Sequence, residues 1–346
     1  MCILRINIKE STMLILGIES SCDETGLALY SEDHGLIAHL VNSQIDLFTE
    51  YGGVIPEIAA RDHSAKIIGI LKQLLKQTDH NLEDINLIAY TAGPGLIGSL
   101  MIGETVAKTI ANVLNIELLP INHLEGHILA PGLEEGGLEP PYLCLLVSGG
   151  HTQIIRCDVY GDYKIIGETI DDACGEAFDK VGKLLNLEYP GGPKVSKLAE
   201  NGDSKRFKFP RAMMKDKNLN FSFSGLKTSV LYALEDLNEE DHADVAASFQ
   251  EAVIDALTTK LMWAVQDTKI HKLVCSGGVA SNKLLRERLK QMAANNNLEV
   301  SYPRMEFCTD NAAMIAYAGF IRKKFKLPTY PTNFARPRWP LGELYD

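Results

Sequence analysis

Apolar and polar positions along the chain alternate between strand-like and helical spacing, and one pattern occurs twice. "MLILGIESSCDETGLALY" (13–30) has two short apolar runs joined by a polar turn, and "YLCLLVSGGHTQIIRCDV" (142–159) has the same order. Residues 56–77 show apolar positions at helical spacing after an initial proline, which predicts a helix. Two strand–turn–strand segments, each followed by helical patterns, predict an α/β fold built from two similar domains.

A change of composition predicts where the two domains meet. The Gly-, Pro- and Glu-rich stretch "PGLEEGGLEPP" (131–141) interrupts the pattern and is typical of a linker. We therefore expect a first α/β domain over residues 13–138 and a second over residues 139–312. The last helix and tail, residues 313–346, are expected to pack back on the first domain.

Composition and charge limit the partners and the compartment. The net charge of −11 opposes nucleic-acid binding driven by overall charge, although a local basic patch is compatible with it. No apolar run approaches the ~18 residues of a membrane span, and the seven cysteines form no C-x-x-C pair. We predict a cytoplasmic protein without membrane contact. Residues 1–12 lack the features of a targeting signal, so we interpret them as an N-terminal extension, with translation starting at Met1 or Met13.

Three glycine-rich turns, at 93–95, 149–150 and 277–278, each follow an apolar strand pattern. Glycine lets backbone N–H groups approach a ligand, and a helix that begins after such a turn favours phosphate. The turns match neither the P-loop nor the dinucleotide-binding signature, so those two classes are not supported. The duplicated hairpins and the strand–Gly–Gly–helix segment resemble the superfamily of actin, sugar kinases and heat-shock chaperone ATPases. That resemblance implies a nucleotide cleft between two similar domains.

Two histidines, His123 and His127, stand four apart in "INHLEGHILA", which places them on one helix face where they could share a metal ion. A zinc protease has the same spacing, but its base is the glutamate directly after the first histidine. Here the glutamate is Glu125, about 200° around the helix from His123, so we expect it to point away. Asp310, at a predicted helix start, offers a third ligand. A purely structural histidine pair remains the alternative.

A series of longer segments carries a more specific resemblance, and they occur in order over residues 13–345. They are "GIESSCDETGLALY", "YTAGPGLIGSL", "NHLEGHILAP", "LLVSGGHTQ", "DDACGEAFDKVGKLL", "YPGGP", "FSFSGLKT", "SGGVASN", "EFCTDNAAMIAYAG" and "RPRWPL". Together they resemble the bacterial form of the universal tRNA threonylcarbamoyl transferase family. The resemblance implies transfer of a threonylcarbamoyl group from threonylcarbamoyl-AMP to N6 of adenosine 37, with release of AMP, in tRNAs that read codons beginning with adenine. A metallopeptidase and an ATPase or kinase of the same superfamily remain alternative functions.

The same resemblance implies site residues, a cofactor and partners. It implies one divalent metal ion per subunit, iron(II) being expected and zinc the alternative, with the ligands His123, His127 and Asp310. It implies a substrate loop of Leu146, Val147, Ser148, Gly149 and Gly150. It implies contacts to the adenylate from Asp179, Gly192 and Asn282. It further implies work on tRNA together with an inactive paralogue of the same fold and a small P-loop ATPase.

The residue chemistry adds two hypotheses, each with a plain alternative. Asp23 in the first predicted turn would receive or relay the proton from N6, although turn aspartates more often make local backbone bonds. By residue type alone, Asp179 equally suits a helix-surface acid and Asn282 a helix cap. Residues 204–228 hold seven basic residues, one acid (Asp216) and four phenylalanines. This composition predicts either a tRNA-binding segment or a solvated loop with core aromatics.

Overall fold

The computed structural model describes residues 13–215, 217–330 and 334–345, so the predicted extension 1–12 lies outside the described residues. Two five-stranded mixed sheets form the centres of the two halves of the chain. Helices cover both sheets, so the protein is α/β, as predicted. Within the described part of the chain, no helix is both long and apolar enough to cross a bilayer.

The first sheet contains the strands β1 (Leu14–Glu19), β2 (Glu24–Ser31), β3 (Gly35–Ser43), β4 (Leu87–Gly93) and β5 (Glu117–Asn122). Their order across the sheet is β3-β2-β1-β4-β5. Strand β1 pairs antiparallel with β2, with Gly17 opposite Ala28, and parallel with β4. Both β1 and β4 are buried at every position, because helices lie against both faces of the sheet.

The second sheet repeats this arrangement. Its strands are β6 (Tyr142–Val147), β7 (Thr152–Val159), β8 (Asp162–Glu168), β9 (Lys272–Ser276) and β10 (Glu299–Ser301). Their order is β10-β9-β6-β7-β8, and β6 pairs antiparallel with β7 and parallel with β9. The hairpin that opens each half therefore occupies the same place in its sheet, which is what the duplicated sequence pattern predicts.

Ten α-helices lie in the described residues: α1 (Ile45–Thr49), α2 (Pro56–Thr78), α3 (Ile97–Leu114), α4 (His123–Leu129), α5 (Cys174–Leu184), α6 (Gly191–Ala199), α7 (Ser224–Leu234), α8 (His242–Thr268), α9 (Lys283–Asn296) and α10 (Ala312–Lys324). Helix α8 is central to the second core, because Phe249, Val253, Leu257 and Leu261 recur every fourth position and are fully buried.

Helix α10 follows the second sheet in the chain but packs against the first, where it covers β1, β2 and β4. Small residues allow a close approach. A Cβ at Gly17 would lie 2.8 Å from the Cβ of Ala316, so only glycine fits there. Tyr330 and Trp339 of the tail are buried in the same hydrophobic cluster as β1 and β4.

The stretch that predicted a linker, residues 131–141, is packed rather than free. Its start belongs to a short 3-10 helix (Ala130–Leu133) in which Pro131 is buried. Leu138 is buried as well, and its carbonyl accepts a hydrogen bond from the Tyr160 hydroxyl. An ordered segment therefore joins the two halves, although its composition is that of a flexible one.

Candidate active site

A cleft of about 1690 Å³ opens between the two sheets. Its walls carry the β1–β2 turn, the start of α4, the loop after β6, the first turns of α6 and α9, and the segment before α10. Ligand pockets in proteins usually measure about 300–1,000 Å³. The cleft therefore has room for a nucleotide and part of a second molecule.

The end of β5 determines where the histidine helix begins. Asn122 is buried and forms the N-cap of α4, because its Oδ1 accepts hydrogen bonds from the N–H groups of Leu124 (2.9 Å) and Glu125 (3.3 Å). The Asn122 Nδ2 donates to the carbonyl of Trp339 (3.0 Å), which attaches the C-terminal tail at the same point. Helix α4 therefore starts at His123, and this histidine lies in the cleft wall.

The structure brings the three expected metal ligands together. The Nε2 atom of His127 lies 3.0 Å, and that of His123 3.4 Å, from the same Oδ1 of Asp310. One ligand atom of each residue lies within 4.8 Å of the others, although 183 positions separate His127 from Asp310 in the chain. Atoms that share a cation at about 2.0–2.2 Å lie roughly 3.0–3.6 Å apart. The two distances to Asp310 fit that geometry.

The hydrogen bonds of His123 test whether a cation suits this site. Its Nδ1 lies 3.1 Å from Oε2 of Glu19 and 3.2 Å from Oγ of Ser21. Because a carboxylate only accepts, Nδ1 of the neutral ring carries the proton, and the Nε2 lone pair then faces the Asp310 carboxylate. Two acceptors at 3.4 Å repel each other unless a proton or a metal ion lies between them. A carboxylate behind a ligating histidine is common in metal sites, so these residues fit a divalent cation.

Without a cation, the charges of the site shift its pKa values strongly. Burial opposes the charged form of His123, but Asp310 and Glu19 outweigh it and raise the pKa of this imidazole well above its usual value. Burial also opposes the charged form of Asp310, yet His123 and His127 hold the pKa of the carboxyl far below its usual range. At His151, burial and then the charges of the two histidines lower the pKa to about 4. The site therefore favours a shared positive charge facing Asp310.

Glu125 points into the protein interior. Its carboxylate is fully buried and lies 3.0 and 3.2 Å from Nη1 of Arg322, which is buried too. The hydroxyls of Tyr163 (3.2 Å) and Tyr330 also donate to it. The prediction that Glu125 faces away from the histidine pair is confirmed, and a metallopeptidase would lack its general base.

The loop after β6 presents backbone donors to the cleft. Leu146 and Val147 are the buried end of β6, and the Ser148 N–H is used inside the turn. A Cβ at Gly149 or Gly150 would meet no atom within 4 Å, and neither N–H donates to a described residue. The fold does not need glycine at these two places. Glycine there leaves open space and two free donors on the cleft wall.

Asp179 and Gly192 lie together at the junction of α5 and α6. The Oδ1 atom of Asp179 accepts hydrogen bonds from the N–H groups of Gly191 (2.8 Å) and Gly192 (3.0 Å) at the start of α6. Burial raises the pKa of Asp179, and these two N–H groups partly offset it. Oδ2 makes no hydrogen bond to a described residue, and Asp179 lines the cleft. This carboxyl is therefore a half-buried acceptor rather than a surface acid.

Asn282 is the N-cap of α9, which is the structural role that its residue type predicted. Its Oδ1 accepts a hydrogen bond from the Leu285 N–H (3.0 Å). Its Nδ2 donates to Oγ of Ser196 (2.8 Å) and to Oε1 of Gln250 (2.7 Å). Both amide hydrogens of Asn282 are therefore bound within the protein, even though the residue lines the cleft.

Asp23 lies in the β1–β2 turn and lines the same cleft. A residue missed in the sequence, His63, holds this turn: its Nε2 lies 3.0 Å from the Cys22 carbonyl and its Nδ1 lies 2.7 Å from Oγ1 of Thr25. Burial lowers the pKa of His63, so the ring is neutral and donates from Nε2. The sequence signal that could have identified His63 was its polar side chain on the apolar face of α2, one helical turn before Ile67.

The predicted tRNA segment divides into a core part and an exposed part. Three of its phenylalanines are buried in the second core: Phe209, Phe221 and Phe223. Arg206 and Arg211 each form an ion pair with an aspartate of α8 at 2.7 Å. Four lysines are exposed and form no ion pair with a described residue: Lys205, Lys208, Lys215 and Lys217. The core interpretation is therefore correct for these aromatic rings, and the free lysines remain candidates for RNA contact.

Solved structures with little sequence similarity have the same fold. HypF of T. kodakarensis gives a TM-score of 0.62 at 16% identity, covering 91% of this chain and 48% of HypF. The (R)-2-hydroxyglutaryl-CoA dehydratase component A of Acidaminococcus fermentans gives 0.52 at 13% identity, covering 88% of this chain and 96% of that protein. This chain thus spans about half of HypF. Fold and site define an α/β protein with two five-stranded sheets that shares the fold of these structures and has a His–His–Asp group at its cleft.

Sequence comparison identifies the family within that class. The family model described as tRNA N6-adenosine threonylcarbamoyltransferase matches residues 35–317. A protein of that name from Methylobacillus flagellatus is 50% identical over 336 residues, covering 96% of this chain and 99% of that protein. The chain belongs to the tRNA N6-adenosine threonylcarbamoyltransferase family, and it is an enzyme of the transferase class. The family and fold expected from the sequence are confirmed.

Proposed function

We propose that this enzyme transfers the threonylcarbamoyl group of threonylcarbamoyl-AMP to N6 of adenosine 37 in tRNAs that read codons beginning with adenine. AMP is released. One observation carries the proposal: His123 and Asp310 of the His–His–Asp group line the same cleft as Gly149 and Gly150, whose N–H groups are free. A cation-type site beside an anion-binding loop suits a substrate that carries a phosphate, a carbonyl and a carboxylate.

The proposed reaction forms one bond and breaks another. The N6 amine attacks the carbamoyl carbon, and the bond between that carbon and the phosphate oxygen breaks. The electron pair leaves with AMP, a good leaving group, so no protein nucleophile is required. N6 then gives up one proton.

The residues of the chain have separate roles in this proposal. A divalent cation held by His123, His127 and Asp310 would supply Lewis-acid polarisation. The N–H groups of Gly149 and Gly150 bind the negative charge of the phosphate as the bond to carbon breaks, without reorganising.

Two carboxylates complete the proposed site. Oδ2 of Asp179 accepts a hydrogen bond from a ribose hydroxyl, which orients the adenylate. Asp23, on the turn held by His63, receives the proton that N6 loses. The metal is iron(II) in this proposal and zinc in its alternative, because two imidazole nitrogens and one carboxylate suit either ion.

The acceptor tRNA would approach from the open side of the cleft. Arg338 lies in the exposed tail, lines the cleft and forms no ion pair with a described residue, so its guanidinium is free for a phosphate. The lysines at 205, 208, 215 and 217 are further phosphate contacts. Because the net charge is −11, we propose that two partners help this enzyme to bind tRNA: an inactive paralogue of the same fold and a small P-loop ATPase. We propose that this complex works in the cytoplasm.

Nucleoside analysis of tRNA tests this function. The enzyme is incubated with tRNA, threonylcarbamoyl-AMP, ATP and the partner proteins, and the tRNA is then digested and analysed for threonylcarbamoyladenosine. The parent should form the modified nucleoside, His127→Ala should lose it, and His271→Ala, at an exposed position, should keep it. Failure of the complete mixture to modify adenosine 37 would refute the proposal. Formation of the modified nucleoside by His127→Ala at the rate of the parent would refute it as well.

A further inference from the structure

A chain of hydrogen bonds with a fixed direction starts at helix α9 and ends in the cleft. The backbone N–H of Leu285 can only donate, so the Asn282 atom that faces it at 3.0 Å must be the oxygen. The Asn282 amide nitrogen then faces the other way, toward Ser196 and Gln250. The helix N-terminus therefore fixes which way round this amide lies.

The orientation of the Asn282 amide determines that of the Gln250 amide. Because Asn282 donates, Gln250 must present its oxygen to Asn282 at 2.7 Å, and its Nε2 points away. This Nε2 donates to no described residue, yet it is not among the enclosed polar atoms that lack a partner. Gln250 lines the cleft although only 7% of it is exposed. Its amide nitrogen is therefore a free hydrogen-bond donor on a residue that lines the cleft.

Gln250 lies on α8 beside Phe249 and Val253, which are fully buried, so the cleft is the side from which a ligand can reach its amide. On the same cleft wall, Oδ2 of Asp179 is a free acceptor. A donor and an acceptor that line one cleft complement a nucleoside, whose base and ribose carry both kinds of group.

We propose that Gln250 Nε2 donates a hydrogen bond to the nucleoside part of the adenylate substrate. Asn282 positions this donor by fixing the orientation of the Gln250 amide. The inference rests on the proposed function, since it takes an adenylate as the ligand. It deepens that function by naming the side chain that recognises the nucleoside.

Two substitutions separate these roles in the full-length protein. Gln250→Glu keeps the oxygen that accepts from Asn282 but removes the outward donor. Asn282→Asp keeps the helix cap but turns the Gln250 amide round, because the new carboxylate accepts from Gln250 Nε2. Each should weaken AMP binding about tenfold by calorimetry, the effect of one lost hydrogen bond. Thermal unfolding without ligand shows whether each variant is folded, and the neutral Gln250→Met controls for the added charge.

A series of AMP analogues provides the decisive measurement. Each lacks one acceptor: 2′-deoxy-AMP, 3′-deoxy-AMP and the 1-, 3- and 7-deaza forms. With the parent, the analogue that lacks the acceptor for Gln250 should bind about tenfold more weakly than AMP, whereas Gln250→Met should bind that analogue and AMP equally. A deoxy analogue that lacks the hydroxyl bound by Asp179 should lose affinity with both proteins. The inference is overturned if every analogue loses as much affinity with Gln250→Met as with the parent. It is also overturned if Asn282→Asp removes the difference in affinity between that analogue and AMP while Gln250→Met keeps it. A parent that does not bind AMP at all would overturn the proposed function, and this inference with it.

Discussion

Replacing Arg322 by methionine should destabilise the protein strongly, because it leaves the Glu125 carboxylate buried without its counter-charge. Both side chains are almost inaccessible: Arg322 is 4% exposed and Glu125 is fully buried. Two contacts of 3.0 and 3.2 Å join them, and the guanidinium also lies 3.7 Å from the Tyr330 ring centre. Methionine keeps much of the aliphatic volume, so the loss is mainly one of charge and hydrogen bonds.

The expected size follows from these contacts. Breaking one side of a buried ion pair costs about 3–5 kcal/mol. With an unfolding entropy of about 2.1 cal/mol/K per residue, the 346 residues give about 0.7 kcal/mol/K. A loss of about 4 kcal/mol then lowers the melting temperature by about 6 °C if the whole chain unfolds as one unit, and by about 11 °C if half of it unfolds alone.

Calorimetric unfolding of three variants provides the assay. Lys323→Met is the matched control, since Lys323 is the next residue of α10 and pairs with Glu117 at 2.7 Å but is 40% exposed. An exposed pair contributes about 0–1 kcal/mol, so this variant should melt close to the parent. The double variant Glu125→Gln/Arg322→Met removes both charges and should recover most of the loss.

Two results would contradict the buried-charge explanation. One is an Arg322→Met variant that melts no lower than Lys323→Met. The other is a double variant that is less stable than Arg322→Met alone. In that case neutralising Glu125 would not have recovered stability, so the unpaired carboxylate would not be the cause of the loss. Either result would mean that Arg322 acts through packing and not through its charge.

Three further predictions concern the cleft. Gly149→Ala should keep the melting temperature of the parent, because a Cβ there meets nothing within 4 Å, but it should weaken AMP binding at least about tenfold. Gly202→Ala is the contrasting variant: its Cβ would meet the carbonyl of Ala243, so it should melt at a lower temperature than the parent. Unchanged AMP affinity of Gly149→Ala would exclude a ligand against this loop. Asp23→Asn should slow transfer to tRNA by about 10²–10⁴ at unchanged AMP affinity, and a normal rate would remove Asp23 as the proton acceptor. Chelation should lower the melting temperature of the parent and not of His127→Ala, because a cation at about 1,000 times its Kd stabilises by about 4 kcal/mol. Equal sensitivity of both proteins to the chelator would contradict the metal site.

The sequence predicts elements whose pattern is local. The helical spacing over 56–77 matches α2 (Pro56–Thr78). Strands β3 and β8 were not predicted. Both lie at sheet edges and are largely half-exposed, so they lack a continuous apolar run or a clean alternation.

The candidate site depends on contacts that no local pattern contains. The spacing of His123 and His127 is visible in the sequence, but the placement of Glu19 behind His123 requires β1 to lie beside α4. Gln250 occupies a position on α8 that periodicity assigns to the core, and only the Asn282 side chain gives it a direction. Long-range hydrogen bonds therefore determine which polar residues are functional candidates.

The position of helix α10 has a consequence for how the polypeptide is made. All five strands of the first sheet have been synthesised by residue 122, yet the helix that covers one of their faces spans residues 312–324. A nascent chain that stops before α10 exposes an apolar sheet face, which makes it prone to aggregate and a target for chaperones and proteases. Asp310 is synthesised just ahead of α10, so His123 and His127 acquire their third neighbour only when translation is almost complete.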